Sequence, residues 1–204
     1  MNVGRVMSEL ARRRPLFHSE ADFQHEFAFM LREQFPAMQV RLEMPHGPHN
    51  GGATDIVARF DDVTIGIELK YLTKRLNLDV DGEAFRLKAQ GATDLRRYDV
   101  LKDVERLERF NAQYGGQSYV IALTNDPAYW RAARSNQTID AAFRLCDDRR
   151  VTGELNWANN ASAGSIRGRE KPISLCAEYN ISWKDYSDLG VNAGHFRFLC
   201  IEIT

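Results

Sequence analysis

Apolar and polar residues repeat with two different periods along the chain, and the changes of period mark its elements. The segment SEADFQHEFAFMLREQF carries Phe23, Phe27, Met30 and Gln34 on one face at helical spacing, with Leu31 at its edge. Ser19 stands at the N-cap position, acids fill the first turn and Pro36 closes the run, so a helix is predicted there. MQVRLEM (38–44) alternates with period two and predicts a strand, followed by the loop PHGPHNGG. TDIVARF and VTIGIELKYL predict two more strands, separated only by Asp61 and Asp62. A polar stretch from Thr73 to Glu83 precedes a long helix from about Phe85 to Tyr114, with Leu95, Tyr98, Leu101, Val104 and Leu107 as its apolar stripe. SYVIALT (118–124) is the near-continuous apolar run of a buried strand. Pro127, preceded by Asp126 as cap, predicts a further helix over PAYWRAAR. In the tail, NWANNASAGSIRGREKP reads as loop, and ISLCAEYNISW and HFRFLCIEI read as strands. The order gives a single mixed α/β domain: a core over about 19–124 of helix, three-strand meander, helix and strand, then a β-rich extension over about 125–204. That extension has three open uses: completing the sheet, forming a homodimer surface, or touching substrate.

Composition narrows the function by exclusion. Among 204 residues, 27 basic side chains stand against 28 acidic ones, which excludes a protein that coats nucleic acid through bulk positive charge. Of the 27, 21 are Arg, a residue whose planar fork suits phosphate, although codon bias in the source genome accounts for the same excess. No run approaches the roughly 18 apolar residues that span a bilayer, and MNVGRVMSELARRRPLF lacks the apolar core of a signal peptide. Cys146, Cys176 and Cys200 are odd in number and form no CxxC, so buried free thiols in a reducing cytoplasm are expected. The absence of GxxxxGK[ST], GxGxxG and GxSxG sets aside nucleotide-driven chemistry and the nucleophile-elbow hydrolases. His46 and His49 form an HxxH without a third zinc ligand, and DVDGE (79–83) fits an acidic turn better than a calcium loop.

The candidate chemistry lies in the hairpin from Thr54 to Tyr71. With Asp61 and Asp62 as a two-residue turn, Phe60 faces Val63 and Asp55 falls across from Glu68. One face is then wholly apolar: Ile56, Ala58, Phe60, Val63, Ile65, Ile67 and Leu69. The other carries Asp55, Val57, Arg59, Thr64, Gly66, Glu68 and Lys70. Two carboxylates facing each other across a sheet repel, and a divalent cation reverses that sign. Lys70 lies about 7 Å beyond Glu68 on the same side, within reach of a water or phosphate held there. The plainer alternative is a solvated outer face bearing a chance acid pair.

Asp55 followed on the next strand by Glu68-Leu69-Lys70 resembles the PD-(D/E)xK phosphodiesterase superfamily, whose fold is restriction-endonuclease-like. The element order from Ser19 to Thr124 resembles that family's core, and Thr54 stands where the motif has Pro. SEADFQHEF, RLEMP, IELKYLT, RYDVLKDVERLE and ALTNDPAYW are also similar to a poorly characterised bacterial group within it. The resemblance implies that Asp55 and Glu68 bind magnesium or manganese, that Lys70 assists a water nucleophile, and that an acid on the first helix completes the metal shell. Glu26 is chosen for that acid, because it flanks the apolar helix face where an unpaired acid is costly. Glu20 is already explained by the cap and the helix dipole, and Glu43 is a third candidate. Arg12, Arg13, Arg14, Arg167, Arg169 and Lys171 have few acids nearby in sequence and are the expected phosphate contacts. Arg96, Arg97, Lys102, Arg106 and Arg109 alternate with Asp99, Asp103, Glu105 and Glu108, so intrahelical ion pairs are expected for most of them. Tyr129 and Trp130 are expected to pack rather than stack on bases. The expectation is a magnesium-dependent nuclease acting on DNA in preference to RNA. Its rivals are a non-catalytic nucleic-acid-binding or assembly protein with the same fold, and an RNA-directed nuclease of a toxin or defence system.

Overall fold

The computed structural model describes residues 1–45, 52–133, 135 and 137–204; His46 and His49 lie outside them. In chain order the elements are α1 (Val3–Arg13), α2 (Glu20–Gln34), β1 (Gln39–Pro45), β2 (Ala53–Phe60), β3 (Val63–Leu72), β4 (Leu76–Val80), β5 (Glu83–Leu87), α3 (Thr93–Tyr114), β6 (Ser118–Thr124), β7 (Arg150–Leu155), β8 (Ile173–Asn180), β9 (Trp183–Asp188) and β10 (His195–Ile203). The chain is thus mixed α/β. Among the described residues no helix is long and apolar enough to cross a membrane.

Six strands form one sheet in the order β1-β2-β3-β6-β10-β9. All neighbours are antiparallel except β3 and β6, whose parallel pairing sets Glu68 beside Val120 and Lys70 beside Ala122. A parallel pair needs a crossover, and α3 supplies it. The β2–β3 hairpin has the register expected from its two-residue turn, with Phe60 opposite Val63 and Ile56 opposite Ile67. Ser19 caps α2 as expected, its hydroxyl accepting from the Asp22 N–H at 3.1 Å.

Helices cover both faces of the sheet. Ile56, Ala58, Ile65, Ile67 and Leu69 pack with α1, α2 and the β4–β5 hairpin. Val57, Val120 and Ala122 pack on the other face with Leu101, Val104 and Leu107 of α3 and with the β7–β8 pair. The face carrying Glu68 is therefore not an outer, solvated face. Gly66 permits the close approach, since a β-carbon there would meet Leu107 Cδ2 at 2.9 Å and the Phe110 ring at 3.1 Å.

Several elements differ from expectation. Residues 76–87 form a β-hairpin instead of opening the long helix, which begins only at Thr93. The acidic turn at its tip has Asp81 and Gly82 at φ 51° and 85°, both on the left-handed side that a two-residue turn of this twist requires. Residues 127–133 make turns and bends and no helix: Arg97 Nη2 donates to the Ala128 carbonyl at 2.6 Å, a group that a helix would use internally. Tyr129 and Trp130 pack in the core. The extension completes the main sheet through β9 and β10, while β7 and β8 form a separate pair on α3. All three cysteines are free, but Cys176 is exposed rather than buried.

Filling the space at Gly66 tests this packing. Gly66→Val should destabilise the protein by about 1–3 kcal/mol through overpacking against α3. Urea denaturation measures it, and an unchanged midpoint would contradict the close contact.

Candidate active site

β2, β3, α3 and the start of α2 bring charged side chains together around one open cleft of about 430 Å³. Its walls include five acids (Glu20, Asp55, Glu68, Asp99, Asp103) and five bases (Lys70, Arg96, Lys102, Arg106, Arg169). Balance at this site thus mirrors the balance of the whole chain, but here the charges are packed against each other.

Glu68 sits deepest, at 1% exposure. Its carboxylate accepts from Arg106 Nε at 3.2 Å and lies 2.8 Å from Arg106 Nη2. The same Nη2 donates to Asp103 Oδ1 at 2.7 Å. The other Asp103 oxygen pairs with Lys70 Nζ at 2.8 Å. Asp55 is fixed differently, its Oδ2 accepting from the Leu69 N–H at 2.7 Å. Glu20 reaches in from the first turn of α2, its Oε2 accepting from the Tyr71 N–H at 2.8 Å. Behind Asp55, Gln24 Nε2 donates to both the Asp55 carbonyl and Glu43 Oε1, each at 2.7 Å. Glu43 itself is exposed and stands outside the cleft walls, with φ at 51° where β1 passes Asp55.

The electrostatics follow from this crowding. Burial, and then the neighbouring Asp103 charge, push the Glu68 carboxyl well above the usual range, despite Arg106. Asp55 and Glu20 are raised too, chiefly by loss of solvent around their carboxylates, although Glu20 as a whole residue is exposed. Burial alone would lower Lys70, but Asp103, Glu20 and Asp55 outweigh it and hold the ammonium charged.

Three residues expected to act together, Asp55, Glu68 and Lys70, are together. Glu26 is not with them: Arg14 Nη1 holds its carboxylate at 3.2 Å outside the cleft, and Glu20 stands where Glu26 was expected. Arg12 and Arg13 also face acids, through pairs with Glu9 and, for Arg13, Glu33 at 2.5 Å. Arg14 is bound to Asp22 as well as Glu26. None of the three lines the cleft. Arg169 does, fixed by Asp99 through contacts of 2.6 and 2.8 Å, and Arg167 and Lys171 are exposed on the same loop. Asp103 is the residue that sequence reasoning missed. Its pairing with Arg106 three positions on is the expected intrahelical one; its second contact, to Lys70, is across elements.

The donors suit a hard divalent cation. Glu68 Oε2 and Asp103 Oδ2 are buried and accept no well-directed hydrogen bond, their contacts to Arg106 and Lys70 being pairings of charge. Among the described residues no group of three or more His, Cys, Asp or Glu side chains is arranged to hold a metal ion. Magnesium does not need one, because one or two carboxylates with waters and substrate phosphate are its usual shell. Asp55 and Glu68 provide two hard oxygen donors, with Glu20 beside them. Comparison with protein-family models, with curated proteins and with solved structures gave no match.

Because the folded state holds protons on Glu68, Asp55 and Glu20 more tightly than the unfolded chain, their contribution to stability is complete below the ordinary carboxyl range. It is lost as pH rises from that range through the raised folded values. Glu68→Gln removes the largest of these losses while Arg106 keeps Asp103. In metal-free buffer its melting temperature should gain on wild type as pH rises from about 5 to about 8. Calorimetry at several pH values checks this, and a gap that narrows with pH would contradict it.

Proposed function

We propose that the protein is a metal-dependent phosphodiesterase that hydrolyses nucleic acid, with magnesium or manganese as cofactor. The observation that carries the reading is the convergence of Asp55, Glu68, Lys70 and Glu20 on one cleft whose remaining walls are rich in arginine and lysine. The succession α2, β1–β2–β3, α3 and parallel β6 supports the resemblance to the PD-(D/E)xK superfamily and its restriction-endonuclease-like core. That resemblance puts DNA ahead of RNA, and the cytoplasm is the compartment in which such a substrate and free thiols coexist.

Asp55 and Glu68 would hold the ion, with Glu20 replacing Glu26 as the acid from the helix. A bound divalent cation supplies Lewis-acid polarisation of the phosphodiester. Lys70 stays protonated and donates hydrogen bonds to the charge that develops on phosphate. It does not serve as a general base. Asp103 is a positioning residue, aiming the Lys70 ammonium into the cleft from α3. Arg96, Arg169 and Lys102 line the same walls and offer charge-assisted hydrogen bonds to neighbouring phosphates.

A second reading draws on one observation. Arg106 lies against Glu68 as a resident counter-charge, which suits a protein that binds nucleic acid without cutting it. Supercoiled plasmid, linear duplex, single-stranded DNA and RNA, each with and without magnesium or manganese, separate the two. Metal-dependent cleavage is expected, falling by about 10²–10³-fold in Asp55→Asn and Lys70→Ala. Glu20→Gln should lower the rate and Glu26→Gln should leave it unchanged. Equal behaviour of wild type and Lys70→Ala on every substrate would end the catalytic reading, and salt-dependent binding without cleavage would favour the second.

A further inference from the structure

A second cavity, of about 180 Å³, adjoins the acidic cleft and shares Arg106 with it. One wall is Met44 and Pro45 at the end of β1. The other is the last two turns of α3, where Phe110, Gln113 and Tyr114 follow Arg106 at helical spacing. Phe110 is buried and forms the floor. Tyr114 stands 4.6 Å from it between ring centroids, tilted by 44°, and is 39% exposed. Arg109 lies at the rim, held by Glu105 at 2.8 Å. Among the described residues the Gln113 side chain has no hydrogen-bond partner.

Core packing accounts for Phe110. It does not account for a tyrosine ring left partly open to solvent beside an exposed amide and two guanidinium groups. The volume lies below the roughly 300 Å³ at which sites for drug-sized ligands begin, so the occupant is a single small ring system. Aromatic and methionine walls suit a flat π-face, and an amide offers both a donor and an acceptor to a heterocycle's edge. Arg106 stands at the junction with the cleft in which the phosphodiester would lie.

We propose that this cavity receives one unstacked nucleobase of the strand being cut, stacked on Tyr114 and contacted at its edge by Gln113. The inference rests on the phosphodiesterase reading and narrows it. A base inside a duplex is stacked and paired, so the substrate is single-stranded or locally opened nucleic acid.

Fluorescence anisotropy of the full chain in EDTA, where metal-dependent cleavage cannot proceed, tests both levels. The probes are a labelled single-stranded DNA oligonucleotide and an abasic strand of the same length and charge. The base-bearing strand should bind about tenfold more tightly, within the range that one base on one aromatic ring contributes. Tyr114→Ala should abolish that advantage and Tyr114→Phe should retain it. Gln113→Ala, at an exposed position that does not threaten folding, should weaken binding of the base-bearing strand only. Equal affinity for the two strands would overturn the base cavity and leave the nucleic-acid reading standing. Failure of both strands to bind at low salt, in EDTA and again with calcium added to fill the carboxylate site, would overturn the two together.

Discussion

Everything at this site depends on keeping four ionisable groups compatible between β3 and α3. Glu68 and Lys70 project from one face of β3, and Asp103 and Arg106 project from α3 to meet them. Removing one partner from a buried ion pair costs about 3–5 kcal/mol, so the alternation of acid and base is a condition for closing the helix on the strand. It also explains why the face can be buried at all. Gly66, two residues before Glu68, lets the apolar part of α3 come close enough to shield the charged end from water. The charged end opens on the cleft, where Lys70 and Arg106 stay partly accessible while Glu68 and Asp103 do not.

The fold delivers these residues through its one parallel strand pair. The crossover from β3 to β6 lays α3 over the face that holds Asp55 and Glu68, while α1 and α2 cover the other face. α2 contributes only its first turns, through Glu20 on the Tyr71 amide and Gln24 behind Asp55. The β4–β5 hairpin, inserted between β3 and α3, packs with the α1 and α2 layer and leaves the cleft open. Overall near-neutrality then has a local reading: acids and bases in equal number share one cleft, and a divalent cation would tip it toward an anionic substrate.

Much of this was legible in the sequence, and the remainder was hidden for identifiable reasons. The β2–β3 register followed from the parity of apolar residues and a two-residue turn, because any odd slip would drive Ile56 and Ile67 off the apolar face. The choice between Glu20 and Glu26 could not be made that way, since helical spacing does not say which end of α2 meets the sheet. Arg14, which neutralises Glu26, lies outside that helix. Asp103 looked like half of an ordinary pair with Arg106, and its contact to Lys70 crosses 33 positions of chain. In the β4–β5 hairpin, Leu76, Leu78 and Val80 alternate with Asn77 and Asp79 as a strand should, but a run of five residues inside a polar stretch is too short to stand out. In α1, the arginine run at its end obscures the helical spacing of its buried positions Val3, Val6, Met7 and Leu10.

The central claim is that this cluster of acids is a cation site held closed by the protein's own bases. Soaking crystals with manganese and recording its anomalous scattering addresses that claim most directly. A peak bounded by Asp55 and Glu68, with Glu20 on its flank and the Arg106 guanidinium moved off Glu68, is the result this account predicts. No peak at saturating manganese, with Arg106 still against Glu68, would contradict it.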